Sequence, residues 1–163
     1  MASLRRSIVA SVLFTLFGGP GILMVLLPWR MTRFRVTAGW HEAVGCVLIG
    51  LGLAPLLESI ARFIVVGRGA LVPNVPTEHL VVSGLYRFVR NPMYVGVALV
   101  LGGEALLFWS EGVAIELGLV ALAVHLFVCF YEEPKLTRTF GEEYRLYQRH
   151  VGRWIPRLNP WKA

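Results

Sequence analysis

Charge is scarce in this chain: Asp, Glu, Lys and Arg make up 16% of its 163 residues, against about 25% in an ordinary soluble domain. Cysteine is scarcer still. Cys46 and Cys129 stand in different apolar runs with no CxxC or Cys/His spacing, so neither a disulfide framework nor a structural zinc site is expected. No internal repeat and no low-complexity segment interrupts the chain. What is abundant is apolar surface, 56% of residues with a mean hydropathy of +0.63, in a chain one domain long. A membrane is the solvent such a composition requires. The net charge of +6 and pI near 9.9 do not point to nucleic acid, because the basic residues are divided among separate segments between apolar runs. Membrane lipids, anionic headgroups in particular, are the expected partner.

Four apolar runs are present. The first, Ile8 to Trp29, follows Arg5 and Arg6 and begins like a signal peptide, yet no small-x-small cleavage site follows, which predicts an uncleaved span. Gly18, Gly19, Pro20 and Gly21 at its centre predict a kink or a broken helix. The second runs from Gly39 to Leu57, with Glu58 and Arg62 four apart at its exit to water. A loop from Gly67 to Pro92, rich in Gly, Pro and Asn, separates these two spans (1–66) from a core of 67–163, all within one membrane domain. Met93 to Trp109 and Val113 to Tyr131, parted by Ser110, Glu111 and Gly112, predict a tight helical hairpin; the 17-residue member is short against the roughly 20 residues of a span. From Glu132 onward, Leu136, Phe140, Tyr144, Tyr147 and Val151 recur at three and four residue steps, which predicts an amphipathic helix lying on the membrane surface. The fold class is therefore all-α, a multi-pass helical protein of about four spans.

Four spans place both termini and the central loop on one side with 13 of the 16 Lys and Arg residues, the side the positive-inside rule makes cytoplasmic. Arg30, Arg33 and Arg35 fall on the other side, against that rule. A bacterial inner membrane is the expected location.

Two polar clusters flank the hairpin, the segment Ser83 to Gly96 before it and Glu132-Glu133 after it. Tyr86, Arg90 and Tyr94 are spaced four apart; that spacing suits a binding site and equally an interfacial belt of Tyr and Arg. Adjacent carboxylates at a span end repel each other and need partners. Arg90 or a C-terminal Arg could pair with one, and a carboxylate could also bind a ribose diol; the alternative is that both are solvated. His125, Cys129 and Glu132 share one face of the fourth span and either line an acceptor tunnel or are ordinary interior residues. Glu104 carries the same two readings.

Ser83-Gly84-Leu85-Tyr86, then Arg90-Asn91-Pro92-Met93-Tyr94-Val95-Gly96, Glu132-Glu133, Phe140-Gly141-Glu142-Glu143-Tyr144, Tyr147 and Val151-Gly152-Arg153, in that order, resemble the membrane methyltransferases that include isoprenylcysteine carboxyl methyltransferase and phospholipid N-methyltransferases. The resemblance covers roughly residues 67 to 157. It implies a cofactor cradle for S-adenosyl-L-methionine made by Glu78, His79, Leu80 and Val81, by Tyr86, by Asn91, Pro92, Met93 and Tyr94, and by Glu132, with Arg90 beside them. Asn91 stands where the family often has His, and Gly152 where it often has Pro; Val128 replaces the Arg that serves a prenylcysteine carboxylate, so a different lipophilic acceptor is expected. Glu133 is the candidate proton acceptor and Arg153 the candidate anchor for a substrate anion. Methyl transfer from a sulfonium needs in-line positioning and a dry site rather than an enzyme nucleophile. Two further readings are an NADPH-dependent reductase of the sterol and steroid type, which shares an Asn/His-Pro-x-Tyr pattern, and a non-catalytic lipid-binding protein.

Overall fold

The computed structural model describes residues 21–36, 38–65 and 80–162. The start of the first run, its Gly18 to Pro20 break, most of the central loop, and Glu78 and His79 lie outside the described residues.

Among the described residues, four apolar helices are seen. Helix α1 (Ile22–Thr32) opens with a π-helical turn, Ile22–Leu26, before regular α-helix from Leu27. Helix α2 (Trp40–Val65) has 26 residues, or about 39 Å at about 1.5 Å per residue, enough for a hydrocarbon core of about 30 Å. Glu58 and Arg62 form the expected ion pair near its end. Helix α3 (Pro92–Leu107) starts on a proline, which has no amide hydrogen to leave unpaired at a helix start. Helix α4 (Glu111–Phe127) begins at Ser110, whose Oγ accepts from the Val113 amide at 3.4 Å. The hairpin reversal is thus Phe108 to Ser110, with Trp109 at φ 48°, slightly earlier than its polar residues suggest.

Helix α2 packs along α3 through four glycines. A Cβ on Gly45 would stand 2.7 Å from the Gly103 carbonyl oxygen, and one on Gly52 would stand 2.6 Å from that of Gly96. Each pair is seven residues apart on its own helix, so two close approaches, two turns apart, hold the antiparallel pair. In a bilayer, where apolar burial gives little drive, such backbone proximity is what makes helices adhere. Leu56, Val97 and Leu101 fill the buried cluster beside it, while Val47, Leu51 and Leu57 face outward as a lipid-exposed side would.

The fourth helix does not end at the acidic pair, contrary to the expectation of a separate surface helix. A π-helical turn, Val128–Glu132, joins α4 to α5 (Glu133–His150), giving a helical path of 40 residues. The cause is Pro134. Having no N–H, it cannot continue the regular ladder, and the residue before it, Glu133, donates instead to the carbonyl five back, Val128. The same device appears in α1, where Leu27, just before Pro28, donates to Ile22. The real interruption falls at Gly141, with φ 55° and ψ −127°.

The stripe of α5 does not face a membrane surface either. Tyr144, Tyr147 and Val151 are buried in a cluster with Leu80, Val82, Leu136, Phe140 and Trp161. The apolar face is thus covered by the chain itself. The segment after α5 lies along residues 87–91: Val89 and Gly152 form a parallel bridge, Arg90 N donates to Gly152 O (2.9 Å), Arg157 N to Phe88 O (2.9 Å) and Trp161 N to Arg87 O (2.9 Å).

Candidate active site

That C-terminal clamp determines where the polar residues of the hairpin approach sit. Gly84, at φ 56°, makes the turn into Gly84–Arg87, because a Cβ there would strike the Glu58 and Arg62 side chains. The turn delivers a buried Tyr86, whose carbonyl accepts from the Tyr147 hydroxyl at 2.6 Å. Asn91 Nδ2 donates to the Arg153 carbonyl at 3.2 Å, tying the start of α3 to the clamp.

A cavity of about 100 Å³ lies where these parts converge, within a hollow of about 660 Å³ that includes its open mouth. Leu80, Val81, Tyr86, Arg90, Asn91, Met93, Tyr94 and Glu132 all line it, so the structure brings together eight of the residues singled out from sequence as a cradle. Pro92 is buried behind the lining, at the start of α3. Glu133 also reaches the cavity, and Arg153 stands behind it. Leu136, Tyr144 and Tyr147 complete the wall. Sequence reasoning turned these three toward the membrane; Leu136, one turn beyond Glu133, was within reach of helical spacing, whereas Tyr144 and Tyr147 lie beyond the break at Gly141.

Charge is distributed unevenly around the wall. Tyr94 Oη donates to Glu132 Oε2 at 3.2 Å. Burial, opposed by that hydrogen bond and assisted by the neighbouring Glu133, raises the Glu132 carboxyl above its ordinary range. Glu133 is differently placed. Arg153 grips it with Nε on Oε1 and Nη2 on Oε2, both at 2.8 Å; Gln148 Nε2 donates to Oε2 at 3.3 Å; and Arg90 Nη1 lies 3.1 Å from Oε1. A carboxylate offers about four lone-pair sites; hydrogen bonds from Arg153 and Gln148 take three of them, and Arg90 adds an ion pair. The bond to Glu133 raises the Arg153 guanidinium further above its already high range. Burial raises the phenols of Tyr86, Tyr144 and Tyr147, keeping them neutral. Arg90 is buried with its Nε and Nη1 making no hydrogen bond. A buried guanidinium with unmet donors at a cavity wall fits an anionic group on a ligand, as the Glu132 carboxylate fits a diol.

Residues 40–143 match the phospholipid methyltransferase family. Methanethiol S-methyltransferase of Pseudomonas deceptionensis is 36% identical over 78 residues, which amount to 45% of this chain and 27% of that protein. No solved structure matches the chain. The family match covers well over half of the sequence, from the start of α2 into α5, and the chain therefore belongs to the phospholipid methyltransferase family, enzymes that transfer methyl groups.

Proposed function

We propose that this chain transfers a methyl group from S-adenosylmethionine to a lipophilic acceptor that reaches the site from the bilayer. The observation that carries the reading is the pairing, in one cavity, of a carboxylate, Glu132, with the guanidinium of Arg90, whose buried Nε and Nη1 make no hydrogen bond. When bound, S-adenosylmethionine supplies the methyl group on a sulfonium. Glu132 would accept from the ribose hydroxyls, Arg90 would hold the amino-acid carboxylate, and Leu80, Val81, Met93 and Leu136 would enclose the remainder and exclude water. Tyr86, Asn91 and Pro92 shape the turn that presents these groups. Tyr94 orients Glu132.

We assign Glu133 a positioning part. Held by hydrogen bonds from Arg153 and Gln148 and paired with Arg90, it positions the two guanidinium groups. Arg153, held on Glu133, is likewise a positioning residue.

A relative named for methanethiol, a small uncharged lipophilic molecule, agrees with an acceptor of that kind here. The distribution of Lys and Arg favours a cytoplasmic active site with both termini on that side of a bacterial inner membrane. The test is Glu132→Ala in the purified chain. Thermal melting near the wild-type temperature with binding of S-adenosylhomocysteine abolished is expected; wild-type affinity in the folded variant would remove Glu132 from the cradle.

A further inference from the structure

We infer that the segment from Trp154 to Leu158, just after α5, is seated in the lipid of the bilayer, and that this contact helps hold the cofactor cavity together. The coupling to the cavity rests on the cofactor reading above; the lipid contact does not. Gly152 starts the bend: a Cβ there would stand 2.7 Å from the Ile155 carbonyl oxygen, so the chain folds back on itself directly after α5. Trp154 Nε1 then donates to His125 Nδ1 at 3.1 Å. His125 lies seven residues before Glu132, about 10 Å along the helix at about 1.5 Å per residue, on the side of the cavity toward the middle of the span.

The surface that Trp154 meets faces lipid. Leu122 and Leu126 beside His125 on α4 point outward, and His125 is itself exposed on that face. An imidazole turned toward hydrocarbon needs hydrogen-bond partners, which the indole N–H and Cys129 Sγ, at 3.6 Å, supply. Trp154 also lines an apolar cleft of about 460 Å³ between α3 and α4, together with Leu117, Val120 and Val124, and Tyr94 is shared between this cleft and the cofactor cavity. The indole thus stands at the height of apolar span residues.

Ile155 and Leu158 follow at 82% and 97% exposure, with Pro156 also turned outward. Side chains of this kind beside a lipid-facing helix enter the boundary between headgroups and acyl chains. The backbone suits that medium, in which unpaired polar groups are costly. Pro156 has no N–H to leave unpaired, and Arg157 N donates to Phe88 O at 2.9 Å. Arg157 Nη1 donates to the His150 carbonyl at 2.6 Å, which turns the one charged side chain between Ile155 and Leu158 back toward the end of α5. Continuity with the outer face of α4 favours lipid over a second copy of the chain as the cover of this patch. The segment is tied to the cavity through the residue before it: the Arg153 carbonyl accepts from Asn91 Nδ2, and its guanidinium grips Glu133. Release of the segment from the bilayer therefore loosens both the start of α3 and the Glu133 network.

The experiment uses the full chain with Cys46→Ser and Cys129→Ser, one new cysteine at a time carrying an NBD fluorophore, in nanodiscs of phosphatidylcholine with or without a doxyl group on an upper acyl carbon. Labels at Ile155→Cys and Leu158→Cys are expected to lose fluorescence to the doxyl lipid as one at Leu119→Cys on the outer face of α4 does, while one at the exposed Glu143→Cys on α5 keeps its signal. A label at Ile155→Cys quenched no more than one at Glu143→Cys overturns the lipid contact, whether water or a second copy covers the patch. With the native cysteines, Ile155→Ser combined with Leu158→Ser raises the Kd for S-adenosylhomocysteine at least about fivefold with the Tm near that of the wild type; Ile155→Ser alone serves if the double variant fails to fold. Unchanged affinity in the folded variants overturns the coupling to the cavity. A wild-type chain that binds no S-adenosylhomocysteine overturns the cofactor reading and the coupling with it, and the quenching then decides the lipid contact by itself.

Discussion

The Tyr94 hydroxyl donates to Glu132 Oε2 over 3.2 Å, joining the first turn of α3 to the end of the π-helical turn after α4. Two spans of one hairpin thereby meet at the cavity, and the carboxylate is oriented by a phenol that also walls the neighbouring apolar cleft. Tyr94→Phe keeps the ring and removes the donor. Affinity for S-adenosylhomocysteine should fall by about 1 kcal/mol, the net value of such a bond, roughly a fivefold rise in Kd by titration calorimetry.

The raised carboxyl of Glu132 sets a pH dependence. Binding of a ribose diol requires the ionised form, so affinity is full above the raised pKa and is lost as pH falls through it. The decline should begin at a higher pH than an exposed carboxylate would give, and Glu132→Gln should flatten that limb of the profile.

Removing the charge of Glu133 leaves Arg90 and Arg153 facing each other without a counterion. Breaking a buried pair from one side costs about 3–5 kcal/mol, and the Glu133 side chain is only 8% exposed. Glu133→Gln should therefore lower the Tm sharply, whereas a proton-transfer role alone would lower kcat with the melt unchanged.

The α2–α3 contact gives a paired prediction. Gly52→Val forces a side chain against the Gly96 carbonyl and should cost at least about 1–3 kcal/mol. Gly50, with nothing within 4 Å of a Cβ, should accept Ala with no loss and a gain of up to about 1 kcal/mol. Unfolding in mixed micelles would rank the two variants; equal stability would contradict the packing described.

Much of this was legible in the sequence because apolar runs report spans directly: α3 and α4 fall within a few residues of their expected bounds, α2 starts where expected but runs on past Leu57 to Val65, and Glu58 and Arg62 pair as their spacing suggests. The continuity of α4 into α5 was not. Glu132 and Glu133 look like an exit into water because the groups that satisfy Glu133, Arg90 and Arg153, lie 43 residues before it and 20 after it, and local pattern carries no long-range pairing. The α5 stripe was ambiguous for a related reason: periodicity shows that a face is apolar but not what covers it, and Leu80, Val82 and Trp161 do so here. The approach of Asn91, Pro92, Met93, Tyr94 and Glu132 to one another followed from the hairpin, which sequence does show.

The most direct test of the central claim is calorimetric titration of the detergent-purified chain with S-adenosylhomocysteine and, in parallel, with NADPH. Saturable binding of S-adenosylhomocysteine with no heat from NADPH is the predicted result; binding of NADPH alone by the folded protein would contradict the account.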